Sequence, residues 1–74
     1  MTQATTIAPV AIDARGMRCP WPALRLARAI RQGASDIDVR ADDPIAPGEL
    51  AAVATAHGLR IETIEIGRFR VFPG

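Results

Sequence analysis

The residues best suited to chemistry are Gly16-Met17-Arg18-Cys19-Pro20-Trp21-Pro22, which hold the single cysteine where a strand-like apolar run gives way to a helix-like one. With one Cys and one His in 74 residues, the chain cannot form an internal disulfide, a Cys-cluster zinc site or a protein-only site of soft transition-metal ligands. The chemistry that remains is thiol chemistry at Cys19, with no cofactor and no metal expected.

Pro20 and Pro22 place Cys19 just before a helix. Proline suits the first helical position, where its missing N–H would have been unpaired and its φ is already helical. Taking Cys19 as the N-cap makes Pro20, Trp21 and Pro22 the first three helical residues and leaves the amides of Trp21 and Ala23 free. A sulfur there faces the positive end of the helix dipole and lies next to the Arg18 guanidinium. Both favour thiolate, so a lowered thiol pKa is expected. The competing reading is that a lone cysteine is a small buried hydrophobe. A helix start between Arg18 and two prolines is a poor place from which to fill a core.

These residues resemble a known pattern. Ile12-Asp13-Ala14-Arg15-Gly16-Met17-Arg18-Cys19-Pro20-Trp21-Pro22, a helical run, and Ala41-Asp42-Asp43-Pro44 before a second helix are similar to the TusA-like (SirA-like) family of small sulfur carriers, from Val10 to the end of the chain. The resemblance implies that Cys19 carries sulfur as a persulfide, with Arg18, Pro20 and Pro22 in support. It also implies a two-layer α/β sandwich in the order βαβαββ, with two helices on one face of a four-stranded mixed sheet. Tryptophan at the variable position between the prolines is a departure from some relatives, and the single thiol excludes any mechanism that needs an internal resolving cysteine.

The composition fits one small soluble domain. A chain of 74 residues buries only about 60% of its unfolded surface, so its core is small. Hydrophobic residues make up 49% and charged residues 23%, which argues against disorder. No apolar run approaches the roughly 18 residues of a membrane span. The polar start Met1-Thr2-Gln3-Ala4-Thr5-Thr6 lacks the basic region of a signal peptide, so a cytoplasmic location is expected. Net charge is +1, all nine cations are Arg, and there is no basic footprint for nucleic acid.

The elements that must position Cys19 follow from hydrophobic period. Residues 1–9 read as a flexible leader and 10–74 as a single domain. Val10, Ile12 and Ala14 alternate onto one face of a first strand, which Arg15-Gly16 ends. A helix over residues 20–32 turns Ala23, Leu26, Ala27 and Ile30 inward and Arg25, Arg28, Arg31 and Gln32 outward, with Gly33 closing it. A second strand over residues 36–41 buries Ile37, Val39 and Ala41. Asp42-Asp43 then reads as a cap and turn rather than an acid–base pair. A second helix from about Pro47 points Leu50, Val53 and Ala54 at the sheet and ends at His57-Gly58. His57, far from the helix start, is not assigned to Cys19. Residues 59–66 form a third strand whose apolar series changes phase at Ile64 and Ile66, which predicts a bulge or irregular edge. Phe69-Arg70-Val71-Phe72 pairs with it after a turn at Gly67-Arg68.

The function expected on these grounds is that of a sulfurtransferase-type persulfide carrier rather than a stand-alone catalyst. Cys19 takes sulfane sulfur from a donor, such as a cysteine desulfurase or a rhodanese, and hands it to an acceptor protein. In resembling proteins the acceptors serve tRNA thiolation, cofactor synthesis or sulfur oxidation. Trp21, Arg25 and Arg28 are the candidate partner-binding residues, the Arg stripe being either a solvated face or a docking patch for an acidic partner. A monomer is expected. Two rivals stand: a non-catalytic interaction or regulatory module in which Cys19 is incidental, and a nucleic-acid binder. Weak basicity and the lack of aromatics interleaved with cations argue against the second.

Overall fold

The computed structural model describes residues 9–74, so the expected leader lies, apart from Pro9, outside the described residues. The elements run β1 (Val10–Asp13), α1 (Trp21–Arg31), β2 (Ile37–Arg40), α2 (Ala46–Ala56), β3 (Leu59–Glu65) and β4 (Arg68–Pro73). The sheet order is β1-β2-β4-β3, with β1 parallel to β2 and β4 antiparallel to both of its neighbours. It is the two-layer α/β sandwich with a mixed sheet that the sequence predicts.

Alternation decides which way each strand faces. Ile12 and Ala14 of the first strand region, Ile37, Val39 and Ala41 of the second, and Phe69 and Val71 of β4 are buried, while their neighbours in the sequence point away. Onto this face α1 brings Pro22, Ala23 and Leu26, and α2 brings Ala46, Leu50 and Ala54 at four-residue intervals. Val10, expected inward, is 43% exposed because it begins an edge strand and lies outside the packed cluster. No polar or charged side chain is buried among the described residues.

The other face of the sheet carries charge. Arg68 grips Asp38 through two hydrogen bonds of 3.2 and 2.8 Å, and Arg70 grips Asp36 through two of 2.8 and 3.0 Å. These diagonal pairs link β4 to β2 and to the residue just before it, and they hold both carboxyls below the usual carboxylate range. The expected irregularity in β3 is a register shift between Thr63 and Glu65. Ile64 is left without a partner on β4, which explains why the apolar series changes phase there. Beyond it the turn closes on Gly67, whose φ of +80° favours glycine and whose carbonyl accepts the Ala41 N–H at 3.0 Å.

Candidate functional site

Because β1 and β2 are parallel neighbours, their C-terminal ends emerge side by side, and so do the loops that lead into α1 and α2. The first loop carries Gly16 to Pro20 and the second carries Asp42 to Ile45. Three side chains from the second loop and helix hold the first. Asp42 Oδ1 accepts the Gly16 N–H at 2.9 Å, Asp43 Oδ2 accepts the Cys19 N–H at 2.6 Å, and Glu49 Oε1 accepts the Cys19 thiol proton with Sγ at 2.7 Å. Gly16 has a φ of +83°, so its freedom from a Cβ lets the chain turn back toward Asp42.

Asp42-Asp43 therefore makes the expected turn but not the expected cap, because the N-cap residue of α2 is Ile45 and no side chain caps that helix, and it does more than turn the chain. Asp43 Oδ1 accepts the Ile45 N–H at 3.0 Å, as a turn residue ahead of a helix does. Its other oxygen reaches 24 residues back along the chain to Cys19. The amides of Ile45 and Cys19, followed by the nearby charge of Arg18, hold the Asp43 carboxyl below its ordinary range.

The start of α1 differs from the expected one. Pro20, not Cys19, is the N-cap residue, and the helix begins at Trp21. The cause lies in the backbone hydrogen bonds: the Cys19 amide is taken by Asp43, the Trp21 N–H closes a turn onto the Arg18 carbonyl at 2.9 Å, and the first α-type bond runs from Leu24 to the Pro20 carbonyl at 3.0 Å. The Cys19–Pro20 peptide bond is cis. Pro22 lies in the first turn, where its missing N–H is harmless, and is fully buried, so its part is to anchor the helix start in the core.

The thiol pKa is also corrected, and in sign. The hydrogen bond to Glu49, then partial burial and the charges of Glu49 and Asp43, push the Cys19 thiol up to about 11. The expectation of a thiolate rested on the helix dipole and Arg18. The carboxylate in contact with Sγ outweighs the dipole, and the Arg18 charge acts on Asp43. Nothing local to Cys19 in the sequence announces Glu49, which is 30 residues away. The available signal was topological: a first-turn acid of α2 must lie near the loop after β1 if the two strands are parallel neighbours.

Cys19 is partly exposed and lines an open depression of about 600 Å³ with Met17, Arg18, Pro44 and Ile45. Trp21 is 60% exposed beside it. Arg25 and Arg28 follow at four- and three-residue steps on the same helix side, both exposed, and the Arg25 guanidinium lies 4.0 Å from Met17 Sδ in the cysteine loop. His57 is the exposed C-cap residue of α2, at the opposite end of that helix from Glu49.

The family model described as sulfurtransferase TusA matches residues 10–72. The chain belongs to the TusA family. A crystal structure of a SirA-like protein from Desulfitobacterium hafniense superposes with a TM-score of 0.72 at 28% identity, covering 84% of this chain and 90% of that one. Comparison with curated proteins gives no match. TusA membership supports a sulfur-carrier role in general terms. Among the described residues, no helix is long and apolar enough to cross a membrane.

Proposed function

We propose that this TusA-family chain carries sulfane sulfur as a persulfide on Cys19. The observation that carries the reading is the construction around that residue: the backbone N–H is clamped by Asp43 at 2.6 Å, the loop is tied by Asp42, and the sulfur is left partly open at the edge of a depression. In the loading step Sγ bonds to the terminal sulfur of a donor persulfide, and the S–S bond of the donor breaks. Its electron pair leaves on the donor thiolate, which is balanced by the proton that Cys19 gives up. Nothing is oxidised overall, and delivery to an acceptor thiol is the same exchange run outward. The enzymes at either end supply the chemistry, with Arg18, Pro20 and Pro22 holding the loop and Trp21, Arg25 and Arg28 forming the surface against which they dock.

Incubation with a cysteine desulfurase and cysteine should add the mass of one sulfur atom. The addition should be removed by a reducing agent and absent from Cys19→Ser. Arg25→Gln with Arg28→Gln should slow loading at low salt without unfolding the chain, because exposed charges contribute only about 0–1 kcal/mol to stability. A folded protein whose mass never changes with a desulfurase or a rhodanese would refute the carrier reading.

A further inference from the structure

The contact between Cys19 Sγ and Glu49 is unusual for a nucleophile. A carrier thiol is expected to have cations or free amides around it, yet the group in contact with this sulfur is a carboxylate at 2.7 Å, and a second carboxylate, Asp43, holds its backbone. The charged groups facing Cys19 are Glu49 from α2 and Asp43 from the β2–α2 loop. Asp42 lies one hydrogen bond away on Gly16, and Arg18, the neighbouring cation, acts on Asp43. An S–H can donate to Glu49, whereas a thiolate or an Sγ that already carries a second sulfur cannot.

We propose that Glu49 is a positioning residue that masks the empty carrier, holding Cys19 as a neutral hydrogen-bonded thiol and losing that contact once Sγ is loaded. The inference rests on Cys19 being the sulfur-bearing atom. Two consequences follow. At neutral pH the empty thiol reacts slowly with stray electrophiles and oxidants, because the thiolate is the reactive form. The bond is also present only in the empty state, so Glu49 favours release of the cargo over its retention. Glu49 sits in the first turn of α2, next to the fully buried Leu50, so its place relative to Cys19 is set by the packing of the helix and not by a mobile loop.

The test is the pH profile of Cys19 alkylation by iodoacetamide in the unloaded chain, wild type against Glu49→Gln and Glu49→Ala, with circular dichroism confirming the fold of each. The wild-type midpoint should lie near 11 and that of Glu49→Ala clearly below it, stopping short of the ordinary 9 because partial burial and the Asp43 charge still raise the thiol. Glu49→Gln, whose amide oxygen can still accept the S–H, should fall less. Each pH unit of the fall raises the thiolate fraction at pH 7.5 about tenfold, and the weaker nucleophilicity of a less basic thiolate returns roughly a factor of three. Alkylation should therefore be about three- to tenfold faster in Glu49→Ala. In a buffer of glutathione persulfide and glutathione, Glu49→Ala should hold several times more sulfur at equilibrium than wild type. Coincident alkylation profiles in folded proteins overturn the mask, as does equal sulfur occupancy. Neither result touches the carrier reading, which fails only if the wild type takes up no sulfur. Alkylation needs no sulfur transfer, so the mask is tested in either case.

Discussion

Leu50→Ala should be disproportionately costly for a change of one side chain, because α2 is poor in large apolar groups. Of its buried residues Ala46, Leu50 and Ala54, Leu50 alone has bulk, and it is fully enclosed. Deleting a buried leucine side chain costs about 2.7–5 kcal/mol, depending on how far the surroundings collapse into the space. A two-layer sandwich with one open sheet face relaxes more readily than a thick core, so a value of about 3 kcal/mol is expected. A domain of this size has in total about 4–11 kcal/mol, so the substitution takes about a quarter or more of it. At 4–8 °C per kcal/mol for a small domain, the thermal midpoint should fall by about 12–24 °C. Urea unfolding followed by far-UV circular dichroism should show a lower midpoint with an unchanged slope, the mark of lost stability without a change in exposed surface. A loss below about 1 kcal/mol would refute the reasoning. Glu49 would then owe its position to something other than the helix packing described here.

Trp21 is the only tryptophan and is largely exposed, so its fluorescence should be quenched readily by iodide in the folded protein; a blue-shifted, protected signal would remove it from the proposed docking surface. Stability should also follow the shifted carboxyls. Asp36 and Asp38, paired with Arg70 and Arg68, and Asp43, bonded by the Ile45 and Cys19 amides, all titrate lower in the fold than their ordinary 3.8. Their contribution is present in full above the unfolded value and is lost as pH falls through the folded ones. The urea midpoint should therefore hold steady down to about pH 5 and then drop, with Asp36→Asn and Asp38→Asn together flattening the acid limb. The raised Cys19 thiol acts in the opposite sense, its contribution being present below about 9 and lost as pH rises through about 11.

What the sequence reveals, and what it hides, divides along one physical line. Strand faces, helix faces and the irregularity at Ile64 are largely consequences of local period, and most buried residues from Ile12 to Val71 fall where alternation and helical spacing place them. The exceptions lie at element ends and on α1: Pro22 and Ala46 at the two helix starts are buried, Val10 is exposed, and Ala29 rather than the expected Ala27 packs on the core. The position of Cys19 at a loop–helix junction is likewise local, being signalled by Pro20 and Pro22. Its electrostatic surroundings are not local. Arg18 is adjacent in sequence and the dipole of α1 begins within two residues, so a reading along the chain assigns both to the thiol and concludes that it is acidic. The partners that decide the matter, Asp43 and Glu49, are 24 and 30 residues away. They reach Cys19 because parallel pairing of β1 with β2 brings the two loop–helix junctions together, and that pairing register belongs to the assembled sheet. The same reasoning explains why Asp42-Asp43 reads as a cap and turn: one oxygen of Asp43 bonds its own turn without capping α2, and the second, which fastens the cysteine loop, has no counterpart in the local pattern. An acid at the start of the helix after β2 should therefore be read, in a βαβα chain with a cysteine after β1, as a candidate neighbour of that cysteine, able to reverse a pKa inferred from its nearest residues alone.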